Sequence, residues 1–156
     1  MSVIDTLITD RTQDDVDTFA KLAKMRWQDM SDAERATFNA GRGDYSADAM
    51  NRVGEAINYL VGRVNAAGGR IRPFNRTYGA AEEITESSSA EYLSAIATVR
   101  AAVAVFETTP AVPDSLAGLD YVKANNIEKI LKDVDTLLIN AQLAIIYSGE
   151  VFAGEG

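Results

Sequence analysis

The residues of this chain that could do acid–base or metal chemistry are carboxylates, lysines and tyrosines, because it contains neither histidine nor cysteine. That removes together the usual general base, the commonest zinc ligand, thiolate metal sites, disulfides and a cysteine nucleophile. Paired acids occur at Asp14-Asp15, Glu82-Glu83 and Asp133/Asp135. Residues one or two apart on a helix do not face each other, so Asp133 and Asp135 are not a ready-made metal or acid–base pair. A Glu-x-x-His pair cannot occur, which excludes the standard di-iron bundle. Asp44 to Asp48 lacks the glycine and terminal glutamate of a calcium loop. GGRIRP and GRGD lack the spacing of a phosphate-binding loop. The serines stand outside a Gly-x-Ser-x-Gly context and have no histidine to activate them. No catalytic residue, metal ligand or cofactor is expected, and the reading is not that of an enzyme.

Charge narrows the partners. With 15 basic and 23 acidic residues the net charge is −8, so phosphate backbones are repelled and nucleic-acid binding is not expected. No apolar run approaches the roughly 20 residues that span a bilayer. The opening MSVIDTLITDRTQDD carries acids where a signal peptide carries Lys or Arg, so a soluble protein made in the cytoplasm is expected. One local exception stands out: Arg70, Arg72 and Arg76 beside Phe74 and Tyr78. This basic–aromatic cluster reads either as a contact loop for an acidic or polar partner or as a crossover whose arginines pair with the chain's own acids. The second reading is favoured. The tripeptide Arg42-Gly43-Asp44 arises easily by chance and carries no weight as a recognition motif.

Helices must position these residues. From Asp14 to Met30, Val16, Phe19, Ala20, Ala23 and Trp27 recur at helical intervals, with Thr12 as cap. Ser31-Asp-Ala-Glu34 reads as a capping box opening a shorter helix that ends at Gly41. Ser46 caps the next, to about Ala67, along the seam Met50, Val53, Ile57, Leu60 and Val64. Gly54 and Gly62 lie inside it and suggest close helix–helix approach. A capping box at Ser88-Ser-Ala-Glu91 begins a helix to about Thr108, with Tyr92, Ile96, Val99, Val103 and Phe106 as its seam, stopped by Thr109-Pro-Ala-Val-Pro113. The longest stretch, Asp120 to Ser148, carries Ile127, Leu131, Val134, Leu138, Ala141 and Ile145, widened by Ile130, Leu137 and Leu143. Aligned without gaps, Asn51-Arg-Val53 corresponds to Asn125-Asn-Ile127, and Ser94-Ala-Ile96 follows less well, a weak internal repeat or convergent packing.

The expected fold is therefore all-α: an antiparallel helical bundle of four to five helices. An N-terminal arm would cover 1–13, the bundle 14–148 with an irregular crossover at 68–88, and an extended tail 149–156. Ile4 and Leu7 in the arm, Arg72, Phe74 and Tyr78 in the crossover, and Val151 and Phe152 in the tail are the expected partner contacts.

Several motifs together resemble a family of small, largely uncharacterised proteins encoded by tailed phages and prophages of Gram-positive bacteria, among tail, baseplate and fibre genes. They are LITDRTQDDVDTFAKL; Trp27-Gln-Asp-Met with SDAERATFNAGRGDYSADAMNRVGEAINYL; TTPAVPDSLAGLDYVKANNIEKILKDVDTLL; and IYSGEVFAGE. The chain departs from that pattern at RPFNRTYGAAEEITESSS, where a Trp-containing extended segment is expected, and at Gly54, which replaces an acidic residue. The resemblance implies a virion component, made in the host cytoplasm, that assembles with other virion proteins or copies of itself as an oligomer. It brings no catalytic residues. Two alternatives are a non-virion protein that inhibits a host factor through its acidic surface, and a receptor-binding or fibre-attachment protein.

Overall fold

The computed structural model describes the backbone of residues 2–155 and the side chains of residues 2–142. It is all-helical among the described residues, with α1 at Gln13–Ala23, α2 at Asp32–Ala40, α3 at Ala47–Ala66, α4 at Glu86–Ala101 and α5 at Tyr121–Glu155. Short 3-10 turns occupy Val3–Thr6 and Trp27–Asp29.

The local chemistry of the helix ends explains most boundaries. Thr12 and Asp15 cap α1 reciprocally, and Ser31 and Glu34 do the same for α2. Gly41 ends α2 in the left-handed region at φ 61°, where a Cβ is costly. Four boundaries differ from expectation. α1 stops at Ala23, and the chain turns so that Trp27 meets Phe38 edge-on at 6.4 Å while Phe19 stacks on Phe38 at 5.1 Å. α4 begins one turn early, because Thr85 and Ser88 form the capping pair. It also ends at Ala101, where Arg100 donates to the carbonyls of Pro110 and Thr109 and folds the following chain back. α5 continues to Glu155, so residues 149–155 extend the helix in place of an extended tail.

The core lies between α3, α4 and α5. Met50, Val53, Ile57 and Leu60 are buried in one cluster with Tyr92, Ile96, Val99, Ile127, Leu131 and Val134, and Val64 is buried too, as the seam predicts. Each such side chain contributes roughly 1.5–3 kcal/mol on burial. α1 and α2 form a satellite pair joined to this body through Gly43, whose position leaves no room for a Cβ beside the Asp15 carbonyl.

The helix directions correct the antiparallel expectation. Arg52 reaches Glu128 at 3.0 Å, and further along both helices Arg63 reaches Asp135 at 2.6 Å. Residue numbers rise together, so α3 and α5 are parallel. α4 runs the same way: Met50 shares a cavity with Thr85 and Ser89, and Val61 shares a groove with Thr98. Three parallel helices need long return connections. An extended chain advances about 3.3 Å per residue against 1.5 Å in a helix, so the segments 67–85 and 102–120 can each run back along a whole helix.

Those returns fill the grooves of the bundle. The N-terminal arm packs on α3 and α5, with Ile4 and Leu7 buried. The segment after α3 lies along α3 and α4. The segment after α4 packs Val103, Val112, Leu116 and Leu119 on the core and ties Thr109 to Asp133 at 2.7 Å.

Candidate functional site

The site with the most built structure is the 69–78 segment and the groove beside it. α3 presents Asn51, Asn58 and Asn65 at seven-residue spacing on one face. Each uses its side-chain oxygen and its amide nitrogen together on one residue of the returning segment. Asn65 pairs with the N–H and C=O of Ile71 at 2.8 and 2.9 Å. Asn58 does so with Phe74 at 2.7 and 2.6 Å, and Asn51 with Tyr78 at 2.7 and 2.8 Å. An asparagine amide holds both a donor and an acceptor, so it offers the same pairing as a residue of a neighbouring β-strand.

The spacing is set by two different rises. Seven helical residues cover about 10.5 Å. Ile71 to Phe74 must span that with three residues, which requires a fully extended chain, whereas Phe74 to Tyr78 has one residue of slack. Gly54, between Asn51 and Asn58, lets the Phe74 ring lie against the helix; a Cβ there would stand 3.3 Å from Phe74 Cε1. The close approach expected of Gly54 is therefore to the strap, not to another helix. Gly62 has nothing within 4 Å of its Cβ position and serves no close approach.

Aromatic packing completes the anchorage. Phe74 and Tyr78 each meet Tyr92 of α4 edge-on, at 6.2 and 6.3 Å. The Tyr78 hydroxyl donates to the Ser88 carbonyl at 2.9 Å, and burial raises its pKa above the ordinary phenol value. Arg76 lies over the Tyr78 ring and pairs with Glu82 at 2.6 Å.

Between this strap and α4 runs a groove of about 860 Å3. Ile57 and Val61 form its floor, and the small residues Ser94, Ala95 and Thr98 leave it open on the α4 side. Arg70 and Arg72 are exposed at its rim and have no ion-pair partner among the described residues.

A second polar cluster is built around a buried carboxylate. Glu128 on α5 is fully buried. It takes a hydrogen bond from Arg52 at 3.0 Å and another from the Ile8 N–H at 3.1 Å. Arg11 Nη2 stands 2.5 Å from Glu128 Oε2, close in distance but off hydrogen-bond alignment. Asn125 pairs with both backbone groups of Arg11, at 3.0 Å each, repeating on α5 what Asn51 does on α3. Arg11 also lies over the Tyr45 ring, and the Tyr45 and Tyr92 hydroxyls bond to each other. Burial first, for both phenols, raises their pKa well above the ordinary value. This cluster locks the N-terminal arm to α5.

The expected contact residues separate accordingly. Ile4, Leu7 and Tyr78 are buried in the protein's own core, because the apolar arm and the strap have grooves of their own bundle to fill. Phe74 is half-buried and packs on Tyr92. Of the crossover residues named, Arg72 alone is exposed, at the groove. The side chains of Val151 and Phe152 lie outside the described residues. Sequence reasoning missed the asparagine trio, Glu128 and Arg11. Heptad spacing of one amide residue was the available signal. The Arg42-Gly43-Asp44 tripeptide is held in the fold, with Arg42 on Asp10 at 2.8 Å and its carbonyl accepting from Arg11.

No group of three or more carboxylates, histidines or cysteines among the described residues could hold a metal ion. No described helix is long and apolar enough to cross a membrane. Comparison with protein-family models, with curated proteins and with solved structures finds no match in any of the three. The arrangement holds extended segments of the chain's own backbone on α3 and α5.

Proposed function

We propose that this protein is a structural component of a tailed-phage virion, in the tail or baseplate region, acting through contacts with other virion proteins or with copies of itself. The motif resemblance supplies the phage setting. The observation that carries the assembly reading is the use of the polar side chains. Asn51, Asn58, Asn65, Asn125, Glu128 and Arg11 are spent on fixing extended segments to a rigid bundle.

Two regions suited to a partner are the strap groove and the end of α5. Arg63, near the end of α3, reaches Gln142, and α5 continues to Glu155. The sequence of that continuation, LAIIYSGEVFAGE, is rich in apolar residues, a composition suited to cover by another chain. A rigid body with a helical extension is the form of a spacer or connector. Mass spectrometry of purified virions tests the proposal. Peptides of this protein at a fixed copy number per particle are expected; their absence from particles overturns it.

A further inference from the structure

We propose that the groove between the 69–78 strap and α4 binds a short, extended, acidic segment of a partner protein. Three observations lead there. The first is charge: the groove is lined by Arg70, Arg72 and Arg76 against one carboxylate, Glu91, in a chain whose net charge is −8. A locally basic groove favours an acidic occupant over a basic one, because opposite charges steer encounter and like charges reject.

The second is that the strap keeps pairing capacity. The asparagines take the N–H and C=O of Ile71, Phe74 and Tyr78. The N–H groups of Arg72, Asn75 and Arg76, all in the groove lining, have no hydrogen-bond partner among the described residues. An extended occupant lying beside the strap would accept from these groups, as an added strand does at a sheet edge. The third is pre-organisation. The wall is fixed in its extended form before any partner arrives, so the ordering cost of binding falls on the partner alone.

The dimensions set the length of the occupant. From Glu91 to Thr98 the α4 wall covers seven residues, about 10.5 Å, which matches three to four extended residues. Arg70 and Arg72, without an ion-pair partner among the described residues, meet the acidic side chains, while Ile57 and Val61 receive an apolar one between them.

The proposal rests on the reading that this protein works through protein contacts, but not on its place in a virion. Virion composition leaves the groove untested, and the groove titration leaves virion composition untouched. The experiment uses the isotope-labelled full chain and two end-capped pentapeptides, Thr-Glu-Val-Glu-Thr and Thr-Lys-Val-Lys-Thr, followed by amide chemical shifts. The glutamate peptide is expected to shift amides of 70–76 and 91–98 saturably, and the lysine peptide to leave them unmoved. Arg72→Glu should weaken the glutamate peptide about tenfold or more, while Arg26→Glu on the far α1–α2 surface leaves binding unchanged. Arg72 is exposed, so its variant should keep the wild-type thermal midpoint. No shift at millimolar peptide, equal binding of the lysine peptide, shifts mapping elsewhere, or full affinity in Arg72→Glu would each overturn the proposal.

Discussion

Replacing Asn58 by alanine removes the central rung of the asparagine series and leaves both backbone groups of Phe74 without a partner. Each hydrogen bond contributes a net ~0.5–1.5 kcal/mol, so the pair together is worth about 1–3 kcal/mol. Phe74 is half-buried, and water can reach part of what is exposed by the change, which places the expected loss near 2 kcal/mol. Asn58→Asp separates geometry from chemistry. The carboxylate still accepts from the Phe74 N–H but cannot donate to its carbonyl, and it sets two acceptors against each other. Its cost should equal or exceed that of alanine. Equilibrium urea unfolding with an unchanged slope gives the energies. Hydrogen exchange locates them: the Phe74 amide should be far better protected than that of Asn75, and should lose its protection selectively in Asn58→Ala. A loss under about 0.5 kcal/mol, a harmless Asn58→Asp, or equal exchange at Phe74 and Asn75 would refute the reasoning.

Glu128→Ala leaves Arg11 buried without its carboxylate and should cost about 3–5 kcal/mol in urea unfolding, with the arm around Ile8 becoming accessible to protease. Gly43→Ala drives a Cβ to within 2.1 Å of the Asp15 carbonyl and should destabilise by about 1–3 kcal/mol or more. Gly62→Ala meets nothing, lies in a helix interior, and should stabilise by about 0.5–1 kcal/mol; thermal midpoints of the two variants should move in opposite directions. Tyr45 and Tyr92 have folded-state pKa values above their unfolded ones, so the folded chain binds more protons in alkali. Their contribution is complete below the unfolded value of about 10 and is lost as pH rises beyond it. Tyrosinate absorbance should therefore appear in two stages, the second coincident with unfolding.

Periodicity made the elements legible. The α3 seam from Met50 to Val64 is buried residue for residue, and the Thr12 and Ser31 caps stand where their side-chain spacing puts them. Helix direction was not legible, because an a/d seam packs equally well on a parallel or an antiparallel neighbour. The length of the connections held that information: 67–85 and 102–120 are longer than a turn between antiparallel helices requires. The site was half legible. Arg70, Arg72 and Arg76 were recognised as a cluster, and the preference for pairing with the chain's own acids holds for Arg76 alone. Ile4, Leu7 and Tyr78 were apolar or aromatic residues in irregular segments. Composition does not distinguish a segment that docks on a partner from one that docks on its own bundle. The asparagines escaped notice because a polar heptad stripe on a helix ordinarily means a solvated face, and here that face is covered by backbone.

The return segments have a kinetic consequence. In an up-and-down bundle, sequential helices can zip together as soon as a short turn closes. Here α3 cannot lie parallel to α4, nor α4 to α5, until an intervening strap has been laid back along the bundle. Closure entropy must be met before core contacts reward it. The chain should thus fold more slowly than its all-helical content suggests, nearer the pace of a mixed α/β domain than of a simple bundle.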